Sequence, residues 1–140
     1  MENTQPRGVR NNNLTNIKKN ALNPWRGEIK NPKERTFCTF QTRAYGYRAT
    51  FIILRNYQQK HGCRTLAEHI SRWAPASEND SKRYVRFVSN MSNYAEGVTL
   101  DHGDAQMMCA IVSAMVVMET GVHENPDTIY NGYVMAQSPM

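Results

Sequence analysis

Ala105 to Gly121 read AQMMCAIVSAMVVMETG, and this stretch decides the fold. From Met107 to Met118 every residue except Ser113 is apolar or small. A run of this length is too short to span a bilayer and is predicted as a helix buried on most sides. Asp101 or Asp104 can cap its start, and Gly121 can end it in a left-handed turn. Its last turn carries Glu119 from the most apolar part of the chain towards the surface. A carboxyl at such an apolar end suits proton chemistry, because desolvation disfavours the charged form. The plainer alternative is a glutamate that covers the exposed end of a core helix.

Around this helix the chain of 140 residues has an ordinary apolar share of 40%. That composition argues against a disordered chain and against a membrane protein. We expect residues 1–6 to form a loose tail and residues 7–140 a single globular domain. The first twenty residues are polar and Asn-rich, so no secretory signal is expected. Three dispersed cysteines, Cys38, Cys63 and Cys109, favour reduced thiols over a disulfide framework. Cys63 alone is expected to be exposed.

Charge is divided unevenly. Residues 1–64 hold 13 Lys and Arg against 3 Asp and Glu, whereas residues 65–140 hold 4 against 9. A basic half can face an anionic polymer such as a cell-wall glycan, nucleic acid or anionic lipid, or it can be a solvated surface. No signature of a known nucleic-acid-binding module is present.

In order, Arg7 to Ile17 (RGVRNNNLTNI) is an Asn-dense loop pinned by Leu14 and Ile17. Trp25–Ile29 and Thr36–Phe40 flank the turn residues Asn31 to Glu34 and are predicted as a β-hairpin. A helix is expected over Arg43–His61, ended by Gly62, with Tyr47, Phe51 and Leu54 inward and Arg48, Arg55 and Lys60 outward. Gly46 inside it implies close packing. Thr65 caps a helix over Leu66–Trp73, and another runs Ser81–Met91 with Tyr84, Val88 and Met91 on one face. After Gly121 only a short packed piece around Tyr130, Tyr133, Val134 and Met135 is expected. The fold class is therefore mainly α (α+β): four helices, one of them the buried central helix, with one small hairpin.

No metal or cofactor is expected. His61, Cys63 and His69 lack a recognised ligand spacing, and no Gly-rich phosphate loop is present. Carboxylate chemistry fits better. Breaking a glycosidic bond needs a protonated acid beside the leaving oxygen. Glu119 is the first candidate and Glu78 the second; Glu124 is a third, expected to be too exposed.

Two resemblances extend this reading. RGVRNNNLTNI, Trp25-Arg26-Gly27, Phe37 to Phe40, Gly46 to Ala49, Asn56-Tyr57 and the Trp73–Tyr84 block occur in this order. They resemble small virion proteins of bacteriophages and prophages that open with RGIRNNNPGNI. Leu14-Thr15 departs from that family's Pro-Gly. The resemblance implies a virion location, synthesis in the host cytoplasm, and other virion proteins as partners.

The second resemblance is to glucosaminidases and lytic transglycosylases of the lysozyme-like superfamily. Glu119-Thr120-Gly121 resembles their helix-ending glutamate followed by Ser-Gly. Asn12 to Lys18 and Trp25-Arg26-Gly27 resemble the segment that follows it, in circularly permuted order. This implies a lysozyme-like helical domain that cleaves peptidoglycan glycan strands, with Glu119 as general acid. The implied substrate-binding residues are Asn11, Asn12, Asn13, Asn16, Trp25, Tyr45 and Trp73. It also requires Glu119 to lie close to the Asn-rich loop. The competing expectations are a non-catalytic virion structural protein that binds other subunits, membrane or genome, and nucleic-acid packing by the basic half.

Overall fold

The structure, a computed structural model, describes residues 5–138. Residues 1–4 of the expected tail lie outside the described residues; Pro6 already forms the N-cap of the first helical turn, Arg7–Arg10 (α1). A two-residue antiparallel pairing follows, Glu28–Ile29 (β1) with Thr39–Phe40 (β2). The other helices are Arg43–His61 (α2), Leu66–Trp73 (α3), Ser81–Ser92 (α4), Ala105–Thr120 (α5) and Pro126–Gln137 (α6). The fold is mainly α with one small two-stranded sheet. No helix among the described residues is long and apolar enough to cross a membrane.

The central helix α5 is buried on several sides at once. Met107, Met108, Ile111, Val112, Ala114, Met115 and Val116 are all buried, because α1, α2, α4 and α6 pack around it. The Asp104 side chain accepts a hydrogen bond from the Met107 amide at its start. Gly121, at φ +74°, ends it in the left-handed conformation that glycine adopts without steric cost. Thr42 and Gly62 bound α2, and Thr65 with Glu68 forms a capping box at the start of α3.

Two helices exceed the four expected. The Asn-rich segment opens with the single turn α1, and the last packed piece is the 12-residue α6, which lies along α2. Its start signal is Asn125 as N-cap with Pro126 in the first turn. The hairpin is shorter than its expected arms, since only two residues on each side pair. Its second arm also bonds outward to the Asn-rich segment, through Cys38 N to Ile17 O (2.9 Å) and Lys19 N to Thr36 O (2.8 Å).

Several side chains differ from expectation. Arg48 is buried rather than outward, because the hairpin lobe and the end of α6 cover a second side of α2. Met91 is 42% exposed, since α4 turns Tyr84, Val85, Val88 and Ser92 inward instead. Cys63 is buried beside α3, its thiol directed at Glu68 O. Burial pushes the thiols of Cys38 and Cys109 up to about 12 and about 11, so neither is an activated nucleophile at neutral pH.

Gly46 shows why a glycine stands inside α2. A Cβ there would fall 2.4 Å from the backbone oxygen of Asn12. The Asn-rich loop therefore lies directly on the helix. Ile17, Cys38, Phe40 and Ala49 make a small second core between the two.

Candidate functional site

The Asn-rich loop is organised by Glu34, which is buried within the hairpin. Its carboxylate accepts from Arg7 Nε (2.5 Å) and Nη2 (2.7 Å), Asn11 Nδ2 (3.0 Å), and the amides of Thr36 and Phe37 (3.0 Å each). Arg7, foremost among these donors, holds its pKa far below the usual carboxylate range. Asn12 Nδ2 donates to Phe40 O, and Asn13 Nδ2 donates to Ile17 O and Cys38 O. Asn11, Asn12 and Asn13 therefore tie the loop to the hairpin, and none of the three lines the cavity at Glu119 described below. Asn11 and Asn13 are buried, and the amide groups of all three are committed within the fold.

Asn16 differs. It takes the left-handed conformation (φ +59°), which Asn tolerates better than most residues. Its Nδ2 lies 2.8 Å from Glu119 Oε1. Tyr84 OH donates to the other oxygen, Glu119 Oε2, at 2.8 Å. The half-buried carboxyl is thus gripped from two sides, by the loop and by α4. Asn16 Oδ1 is buried without a hydrogen-bond partner and rests against Gly8, where a Cβ would come within 2.8 Å of it. Gly8 leaves the room that lets Asn16 turn its amide nitrogen to Glu119. Burial, then the Glu119 charge, push the Tyr84 phenol up, so it remains a neutral donor.

Glu119 opens into a cavity of about 200 Å³ lined by Asn16, Lys18, Phe37, Trp73 and Glu78. Both candidate carboxylates therefore share one space. Glu78 stands on the exposed corner after Pro75 and pairs with Lys18 at 3.0 Å. An adjoining space of about 300 Å³ shares Asn16, Lys18, Trp73 and Glu78 and adds Tyr57 and Arg72. A third, of about 650 Å³, shares Lys18 and Tyr57 and reaches Trp25 and Lys60. Through these shared walls one groove runs from Glu119 along α2 to the hairpin lobe. Arg72 lies over the Tyr57 ring, 5.4 Å from its centroid.

Of the sequence-derived candidates, Glu119, Glu78, Asn16 and Trp73 meet at one end of this groove, and Trp25 lines the other. Tyr45 packs its ring onto Gly27 and is not among the residues lining the Glu119 cavity. Glu124 is not exposed. Its side chain is 6% accessible and bonds Arg43 Nη1 (3.1 Å) and Tyr47 OH (2.7 Å), tying the start of α6 to α2. Sequence reasoning missed Tyr84 and Lys18. Tyr84 sits on the inward stripe of α4, where an aromatic residue looks like core.

His69 turns to His102. Its Nδ1 donates to Thr65 O (2.8 Å), and its Nε2 lies 3.1 Å from Nε2 of His102. With Nδ1 protonated, His69 Nε2 accepts, so His102 donates from Nε2. No group of three or more His, Cys, Asp or Glu among the described residues is placed to hold a metal ion.

No protein-family model matches this chain. Protein P5 of Pseudoalteromonas phage PM2 is 38% identical over 128 residues, which span 90% of this chain and 77% of the relative.

Proposed function

We infer that this chain, which belongs to the family of Protein P5 of Pseudoalteromonas phage PM2, serves in a phage particle and cleaves glycan strands of the bacterial wall there. The observation that carries the catalytic part is the Asn16–Glu119–Tyr84 constellation at the head of a groove. The contact between Asn16 and Glu119 supports this reading, because it brings the Asn-rich segment to the end of α5.

In its protonated form Glu119 gives its proton to the glycosidic oxygen, and the bond from that oxygen to the anomeric carbon breaks as water attacks that carbon. Asn16 and Tyr84 fix the direction of the carboxyl, so the proton is delivered without a search over rotamers. Glu78, in the same cavity, takes a proton from the attacking water. Trp73 offers a flat apolar wall to a sugar ring, and the groove along α2 accommodates further rings of the strand. The excess of cations in residues 1–64 draws the anionic wall by a long-range attraction that salt weakens.

The second reading is a non-catalytic structural component of the particle. It is favoured by the relative itself, a phage protein, and by the use of Arg7, Asn11, Asn12 and Asn13 to build the fold. Clearing of purified peptidoglycan by the wild type and by Glu119→Gln separates the two, with folding checked by circular dichroism. The enzyme reading expects clearing by the wild type and none by the folded variant. Folded wild-type protein that clears no wall, including that of its own host, would leave the structural reading standing.

A further inference from the structure

The groove that leaves the Glu119 cavity is divided by charge. Glu119 and Glu78 stand together at its head. Beyond Glu78, no carboxylate among the described residues lines the two spaces that follow, whereas Lys18, Arg72, Lys60 and His61 do. Lys18 belongs to the head as well, but Glu78 pairs with it there at 3.0 Å. The other ion pairs among the described residues join Arg7 to Glu34 and Arg43 to Glu124. Arg72, on α3, is therefore the first cation along the groove that no described carboxylate pairs.

What holds Arg72 is a ring. Its guanidinium carbon lies 5.4 Å from the ring centroid of the half-buried Tyr57. A cation over an aromatic face is attracted by the ring's quadrupole, which restrains a long side chain. That contact uses the charge and leaves the N–H donors of the fork for another partner. Tyr57 comes from α2 and Arg72 from α3, so two helices set the position of the fork. Trp73 follows Arg72 in the chain and lines the same space. An apolar wall for a sugar ring and a planar cation thus face one stretch of the groove.

A single guanidinium fork suits a carboxylate, whose two oxygens it meets with two parallel hydrogen bonds. At the head of the groove the only lining cation, Lys18, is taken up by Glu78. A carboxylate carried on a bound strand is therefore drawn to Arg72 and not to the bond at Glu119. A neutral glycan gains nothing from this division of charge. We propose that the groove selects glycans whose sugars carry carboxylates, and that Arg72, set by Tyr57, is the specificity-determining residue that binds the carboxylate. The glycan as carrier rests on the glycan-cleaving reading above, whereas the preference for a carboxylate rests on the groove itself.

Binding addresses the subsite without requiring catalysis. Calorimetric titration of Glu119→Gln, which removes the acid, compares chitotetraose with the tetrasaccharide of peptidoglycan in two forms. The peptide-free form carries its carboxylates on lactyl ethers, and the peptide-bearing form carries them on its peptides. An acidic form is expected to bind about tenfold more tightly than chitotetraose, and added salt to narrow the gap. The tighter of the two forms names the carrier of the carboxylate. Arg72 is exposed, so Arg72→Gln in the same background is expected to fold and to close the gap. Converting the carboxyls of the saccharide to methyl amides is expected to have the same effect with the protein unchanged. Equal affinity for chitotetraose and both acidic forms, a gap that persists in Arg72→Gln, or no saturable binding of either acidic form would overturn the subsite. Wall clearing by the wild type without this preference would overturn the subsite and leave the glycan-cleaving reading standing. The preference without wall clearing would leave the subsite standing and overturn the catalytic part.

Discussion

Asn16 Nδ2 and Glu119 Oε1 stand 2.8 Å apart although 103 positions separate them in the chain. Tyr84 completes the grip on the opposite oxygen. If both donors act by orienting one carboxyl, removing either should lower the rate of wall clearing while leaving the fold intact. Asn16→Gly suits the left-handed backbone, and Tyr84→Phe keeps the buried ring. Each is expected to cost about tenfold or more in rate, with the double variant falling short of the product of the two. Rates fully multiplicative in the pair, or unchanged in both, would dissociate these donors from the chemistry.

Glu34 supports a prediction about acid stability. Its folded pKa is depressed, chiefly by Arg7, then by the Phe37 amide and Asn11. The stability it contributes is therefore complete above the unfolded carboxylate pKa, about 4.3. It is lost as pH falls from there through the folded value. Thermal melts between pH 5 and pH 2 should show a shallower acid slope for Glu34→Gln than for wild type, and a lower Tm for the variant at neutral pH. Added salt should weaken only the contribution of Arg7, whose side chain is 48% exposed. Parallel slopes would show that the hub does not couple to acid unfolding.

Much of the fold is legible because helix ends carry local signals. Gly62, the Thr65–Glu68 box, Asp104 and Gly121 all stand where the bounds of α2, α3 and α5 fall. What failed depends on partners distant in sequence. Three consecutive asparagines look alike whether they face a ligand or a hairpin, and here their acceptors lie four to 29 positions away. Arg48 looks outward on a single-stripe helix but is covered once a second layer lies on α2. Glu119 stands out because an apolar helix ends on it. Tyr84 does not, since its hydroxyl is the only polar part of an inward ring.

The two imidazoles behind α3 make a second pH-dependent element. His69 is lowered by burial, and His102 is pushed down to about 4 by burial first, then by the charges of His69 and Arg55, with Asp101 opposing. At least one must be neutral for the Nε2–Nε2 contact, because two imidazoliums have no lone pair to share. Folded values below the unfolded value of about 6.5 mean that the unfolded chain binds more protons in between. Stability is thus full above that value and falls as pH drops towards 4. Denaturant midpoints at neutral pH and at about pH 5 should differ more for wild type than for His102→Gln. An equal difference in the two proteins would locate the acid sensitivity elsewhere.

Gly46→Ala tests whether the loop truly lies on the helix. Helix propensity alone favours alanine by about 1 kcal/mol at this interior position of α2. Against that, the new Cβ would meet Asn12 O at 2.4 Å, an impossible contact unless backbone moves. The loop cannot yield cheaply, because Asn12 Nδ2 holds Phe40 O and the amide of Phe40 donates to Asn11 O. Overpacking against fixed backbone costs about 1–3 kcal/mol or more, so the steric loss should exceed the propensity gain. Urea melts are expected to show a net destabilisation, together with weaker wall clearing, since the displaced loop carries Asn16 away from Glu119. A stabilised Gly46→Ala would mean that the loop rests on α2 loosely, and that Asn16 is held to Glu119 by their own hydrogen bond rather than by the packing beneath it.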